Sequence, residues 1–260
     1  EDNVGYALKV NTGNKIKLSG NEVPWKLNVG GGYEFVEEYF APIERFRSVE
    51  FERDWNINNV LLSSNQTIVN AFTGFEKDKK GNILYDVSYL RNEGEYKGLK
   101  NALFASYNWK GFSLVGDGSF LTTEGINNTQ FIRHKAVLSK GIGWIVVGVA
   151  EEVEQNQFYL NQQNDSLQAS SFEFKIWETF IRSSDTTTNN FLISYKQRAD
   201  NAPFGRDFSE ATKAEDISLS LGLIKSANHK FRTKVTYRKL DILSNTLSAL
   251  NPEENVLARV

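Results

Sequence analysis

The chain has 260 residues, enough to bury a substantial core in one large all-β domain or two small ones. Its formal net charge is −2 with 24% charged residues, so no electrostatic footprint points to a nucleic-acid partner. It contains no Cys, which excludes disulfide scaffolds, Cys-ligated zinc, iron–sulfur clusters and Cys nucleophiles.

Met is absent as well, position 1 included, so the chain is expected to begin after processing or to be a piece of something longer. The longest apolar stretch, "GIGWIVVGVA" at 141–150, falls far short of the roughly 20 residues of a spanning helix. It does match the length of a tilted spanning strand.

In chain order, the candidate strands of the first hundred residues are "YALKV", "NKIKLSG", "WKLNVGGGYEFVEE", "FRSVEFERDW", "QTIVNAFTGFEK" and "NILYDVSYLRN". "KDKKGN" at 77–82 reads as a hairpin turn. "VGGGYEF" at 29–35 lacks the spacing and the following helix of a phosphate loop, so Gly30 to Gly32 are expected at a bend or bulge of a strand. Helical periodicity is confined to 36–46 and 244–255, and each of these segments carries a proline.

From residue 101 the alternation is more regular. "NALFASYNW" aligns Leu103, Ala105, Tyr107 and Trp109 on one face. A tight turn at Lys110–Gly111 returns the chain as "FSLVGDGSFL". "QFIRHKAVL", an "SKG" turn at 139–141, "IGWIVVGVAEE", "SFEFKIWETFI" and "FLISYKQR" follow. The segment 216–242 closes the series. There Ile217, Leu219, Leu221 and Leu223 oppose Ser218, Ser220 and Gly222, and Phe231, Thr233, Val235 and Tyr237 oppose Arg232, Lys234, Thr236 and Arg238. Connections at 122–129, 153–170 and 199–214 are long and polar, and they alternate with short ones. The expected fold is therefore all-β: an antiparallel up-and-down meander in one domain over 1–260, forming a transmembrane β-barrel or part of a larger one. The alternative is a soluble β-sandwich.

Two features bear on that choice. Tyr107, Trp109, Phe112, Phe180, Tyr195, Phe231 and Tyr237 are placed near strand ends on the apolar face, where the interfacial girdles of a barrel lie. Arg133, Lys135, Glu173, Lys175, Arg232 and Lys234 put charge in mid-strand on the polar face, as a wet lumen would require. Ile193, Leu219, Leu221 and Val235 are then the candidate lipid-facing residues. In a sandwich the same face would be core, and Trp25, Tyr33 and Trp55 would offer the ligand surface.

The alternating strands, the aromatic girdles and the turn–loop asymmetry of 101–240 resemble outer-membrane β-barrel proteins in general. "FAPIERFRSVEFERDWNI" at 40–57 also resembles segments of the very large cell-surface barrel proteins tied to gliding and type 9 secretion. The resemblance implies a surface-exposed protein of the bacterial outer membrane serving transport, export or surface assembly. Its partners would be the lipid bilayer and other chains of an outer-membrane complex, and its long loops would face outward. A sandwich would instead be periplasmic or secreted and act as a binding or adhesion module.

Chemistry-bearing motifs are sparse. The densest carboxylate cluster is "VEFERDWN", where strand alternation would put Glu50, Glu52 and Asp54 on one face and Trp55 on the other. Paired carboxylates beside an aromatic can serve a glycosidic bond or a cation. Here the plainer expectation is a polar strand face toward water or a lumen. Only two histidines, His134 and His229, are present, with no spacing for a metal site and no nucleophile elbow nearby. The expectation is a non-enzymatic protein without cofactor or metal.

Overall fold

The structure, a computed structural model, describes residues 5–18, 24–40, 54–55, 65–78, 80–93, 96–125, 128–159, 166–185, 189–226, 229–243 and 253–259. Among the described residues, thirteen antiparallel strands follow one another in a single sheet whose spatial order is the chain order. They are β1 (Ala7–Lys17), β2 (Lys26–Val36), β3 (Gln66–Lys77), β4 (Gly81–Asn92), β5 (Tyr96–Trp109), β6 (Phe112–Gly125), β7 (Thr129–Ile142), β8 (Ile145–Phe158), β9 (Phe172–Ser183), β10 (Asn190–Phe204), β11 (Asp207–Ser226), β12 (His229–Ile242) and β13 (Glu253–Arg259). β1 and β13 are the ends of that order. No helix among the described residues is long and apolar enough to cross a membrane, which says nothing of crossing by strands.

Packing groups the chain into two compact units. One comprises Glu1–Ala105, Asp117–Ile132 and Asn156–Gln168; the other comprises Ser106–Gly116, Arg133–Gln155 and Ala169–Val260. Strands β5 to β8 contribute residues to both.

Turn chemistry explains several strand ends. Lys110 (φ 47°) and Gly111 (φ 80°) both take left-handed backbone between β5 and β6, as a two-residue I′ hairpin needs. Glycine adopts that conformation without steric cost, and Gly143 (φ 59°) does so between β7 and β8. The turn expected at 139–141 is therefore displaced: Ser139, Lys140 and Gly141 are strand residues, and the chain reverses at 143–144.

Two of the three expected long loops are mostly strand. β6 runs to Gly125 and β7 starts at Thr129, leaving three residues between them. β10 continues to Phe204 and β11 starts at Asp207, so 199–214 is a hairpin around a two-residue turn in which Gly205 has φ 64°. Polar composition misled the reading there, because cross-strand pairing does not require apolar side chains. Pro203 is accommodated beyond Asn201, the last β10 residue paired to β9, where β10 pairs only with β11. The connection between β8 and β9 is the longer one, and 159–171 lies outside the named strands.

The glycines of β2 mark no bulge. Its register to β1 and β3 runs unbroken through Gly30, Gly31 and Gly32. Gly30 lies between Gly13 and Phe72 in the register, and the Phe72 ring occupies the space a Cβ at Gly30 would need. Gly32, between Asn11 and Asn70, makes room for both amides. Gly148 on β8 accommodates the ring of Phe180 in the same way. Gly148→Val is therefore expected to destabilise by about 1–3 kcal/mol through overpacking. Equilibrium unfolding of Gly148→Val in the Phe180→Ala background should show that cost largely relieved; an undiminished cost would place its origin elsewhere.

Candidate functional site

Register rows establish two faces in each unit. In the first unit, Val10, Tyr33, Val69 and Tyr89 form one row, and Ile16, Leu27, Phe75 and Ile83 another. In the second unit, Ile181, Ile193, Leu219 and Val235 are successive partners across β9 to β12, followed by Thr179, Tyr195, Ile217 and Tyr237. Leu221 pairs with Phe191 and Thr233 on the same face. These apolar residues are not covered: Ile193 is 46% exposed, Leu219 41%, Leu221 42% and Val235 41%. Beyond Ile217 the same face turns polar, with Glu215, Lys213, Lys239 and Asp241 in register.

The opposite face of the second unit is a charged and hydroxyl-bearing wall. Glu178, Lys196, Asp216 and Arg238 make one row with alternating sign. Arg238 holds Asp216 through both carboxylate oxygens, Nε to Oδ1 at 2.7 Å and Nη2 to Oδ2 at 2.8 Å. Such a fork fixes the geometry of both side chains. The next row is Phe180, Ser194, Ser218 and Thr236, in which the Ser218 and Thr236 hydroxyls are 2.9 Å apart. Arg182, Leu192, Ser220 and Lys234 follow. A concavity of about 510 Å³ lies over these rows. On the same unit Arg133 Nε meets Glu154 at 3.0 Å and Lys135 Nζ meets Glu152 at 3.1 Å. The wall offers many hydrogen-bonding groups to water or a polar solute; the charges of the Glu178 row balance, whereas Arg182 and Lys234 leave the last row cationic.

The first unit carries something different on its polar side. Trp55 is buried there in a cluster with Leu90, Tyr96, Leu121 and Phe131, against which Ile68 packs. The Tyr96 hydroxyl donates to the Trp55 carbonyl at 2.5 Å, and Lys100 Nζ binds Asp54 Oδ2 at 3.0 Å. Residues 54–55 thus bring part of the β2–β3 connection against the sheet. A cavity of about 300 Å³ beside it is lined by Lys9, Asn11, Glu34, Trp55, Asn70 and Asp86, among others.

No family model matches the chain, and comparison with curated proteins and with solved structures finds no match.

Several sequence expectations are corrected by this geometry. Asp54 has helical and Trp55 turn backbone, so strand alternation does not govern their directions, while Glu50 and Glu52 lie outside the described residues. Trp55, expected among the exposed aromatics, is buried at 5% exposure, whereas Trp25 and Tyr33 are exposed. Phe180 belongs to the polar face, in register with Ser194. Glu173 and Lys175, expected on the polar face, share the parity of Ile181 and lie beyond the apolar rows. The apolar residues of β9 fall on both parities (Phe174, Ile176 and Phe180 against Trp177 and Ile181), so the pattern alone could not orient it. His134 faces Glu151 at 3.9 Å. Among the described residues no group of three His, Asp or Glu is placed to hold a metal.

The Glu178–Lys196–Asp216–Arg238 row was missed as a unit because its members come from four strands and only register aligns them. Asp216 lies 11 residues before position 227 and Arg238 10 residues after position 228, and the register shift between Ile224 and Ser226 brings them into pairing, so even this pair was not given by counting from the hairpin.

Proposed function

We propose that this chain is a wall of a bacterial outer-membrane β-barrel serving passage or surface assembly, with its apolar face on lipid and its charged face toward a lumen. The observation that carries the reading is the uncovered row Ile181–Ile193–Leu219–Val235, backed on the other side of the same strands by Arg182–Leu192–Ser220–Lys234. A sheet with one greasy, exposed face and one salt-bridged face fits the boundary between hydrocarbon and water. A soluble sandwich would bury the greasy face against a second sheet, and exposures above 40% at Ile193, Leu219, Leu221 and Val235 speak against that alternative.

β1 and β13 end the strand order among the described residues. Unpaired backbone N–H and C=O groups are not tolerated in hydrocarbon, so in a bilayer their outer edges would be paired, within the chain or by other chains of an outer-membrane complex. The 10 residues of β11 from Asp207 to Asp216 carry the β10–β11 hairpin past the apolar rows, presenting a polar surface beyond the bilayer. That hairpin and the β8–β9 connection take the recognition role expected of outward loops.

Detergent dependence tests the reading. The chain is expected to hold its β-sheet circular dichroism only in micelles or bilayers and to aggregate when detergent is removed. A monodisperse folded monomer in plain buffer would sink the membrane assignment and leave the secreted binding module.

A further inference from the structure

Resting on the membrane reading, we propose that the apolar face of the second unit carries a specific site for a phospholipid with an anionic headgroup. One acyl chain would lie in a groove of the sheet, and the phosphate would sit on Lys110 and Lys140.

The groove is a depression of about 580 Å³ on the uncovered face, a volume typical of small-ligand clefts. Its origin is a difference in side-chain size. Val147, Val149 and Thr179 on β8 and β9 form a low floor. Phe112 and Leu138 rise on the β6–β7 side, and Tyr195 and Ile217 rise on the β10–β11 side. No carboxylate lines it, and Lys140 is its only ionic residue. A long hydrocarbon chain suits such walls, which are apolar apart from Lys140 and a few hydroxyl residues such as Thr179 and Tyr195, so most buried polar atoms of another ligand would lack a partner.

The mouth has the opposite character. Lys140 Nζ lies 3.9 Å from the centre of the Phe112 ring and donates to the Lys110 carbonyl at 2.6 Å, which leaves two N–H groups for a further acceptor. Lys110 Nζ lies 5.1 Å from the centre of the Trp109 ring, and that ring stacks on Phe112 at 6.4 Å. Neither ammonium has a carboxylate partner among the described residues. Two cations held on aromatic faces, Lys140 near the end of β7 at the groove and Lys110 in the adjoining β5–β6 turn, reproduce the charge order of an anionic lipid from headgroup to chain. The lysines lie at the rim of the 110–111 and 143–144 turns, so on the membrane reading the occupant is a diacyl phospholipid of the leaflet that this rim meets.

The test is native mass spectrometry of the folded chain released from micelles containing equal amounts of phosphatidylglycerol and phosphatidylcholine. Folding in detergent, and its loss in plain buffer, is established first by circular dichroism for each variant. The wild type is expected to retain phosphatidylglycerol in preference to phosphatidylcholine. Lys110→Asn combined with Lys140→Gln should lower that retention roughly tenfold, since each lysine near an anionic surface contributes appreciably. Val149→Trp, which fills the floor while keeping the face apolar, should lower retention of phosphatidylglycerol with both lysines intact. Equal retention of the two lipids by the wild type would overturn the proposal, as would unchanged retention in the lysine pair or in Val149→Trp. A wild type that folds without detergent overturns the membrane reading and the lipid site together. A chain that folds only in detergent but shows no lipid preference overturns the site alone.

Discussion

Leu221→Arg is expected to destabilise the fold in phosphatidylcholine bilayers by about 2–4 kcal/mol, while Ser220→Asp, one residue earlier, leaves it nearly intact. Leu221 pairs with Phe191 and Thr233 and is exposed on the apolar face, within the stretch from Ile217 to Leu223. Arginine near the midplane of a barrel's lipid face costs about 2–4 kcal/mol, a large share of the few kcal/mol by which folded chains are stable. Ser220 points the other way and is in register with Lys234. An aspartate there gains a cationic neighbour in a wet setting, so its effect should stay within about 1 kcal/mol. Urea titration of the bilayer-folded fraction, read by the heat-sensitive gel mobility of folded barrels, separates the two. Equal tolerance of both substitutions would mean that the Leu221 side meets water or protein, not lipid.

Trp55→Ala should destabilise the first unit by about 3–5 kcal/mol, the range for deleting a large buried aromatic. The indole is 5% exposed and packs with Leu90 and Leu121, which are 2% and 1% exposed. Its loss opens a cavity at the point where the β2–β3 connection meets the sheet. Asp54→Ala removes only the ion pair to Lys100, whose carboxylate partner is 41% exposed, and should cost under about 1 kcal/mol. The contrast assigns the attachment of this connection to packing and not to charge. Denaturant unfolding of the two variants checks it, and comparable small costs would show that the cluster tolerates an empty Trp55 site.

The consequence for function lies in where that residue sits. Asp54 and Trp55 are held on the polar side of the sheet, by Lys100 and by the hydroxyl of Tyr96. If that side lines a lumen, Asp54 and Trp55 stand on it beside the strand residues. The second unit presents instead the open charged rows from Glu178 to Arg238.

Strand existence and facing were legible in the sequence wherever alternation was clean. Ile217, Leu219, Leu221 and Leu223 on one side, and Ser218, Ser220 and Gly222 on the other, fall as the period of two dictates. The two-residue turn at Lys110–Gly111 was legible from Gly111, which takes positive φ without steric cost, whereas the left-handed backbone of Lys110 was not. Alternation failed in β9, where bulky apolar residues occupy both parities and only pairing to β10 decides that Phe180 faces Ser194. It also failed at 199–214, where polarity was read as loop although the backbone ladder continues.

Local pattern thus determined the all-β meander, the chain-order pairing and the identity of the apolar face, since each depends on neighbours in sequence or on hairpin closure. Tertiary structure alone decided which side chains meet across several strands: the Glu178–Lys196–Asp216–Arg238 row, the burial of Trp55 against Leu121 and Phe131, and the groove floored by Val147, Val149 and Thr179. The physical reason is register. A shift of one residue in any strand would invert its faces, and the summed register over four or more strands is set by packing that no single segment encodes.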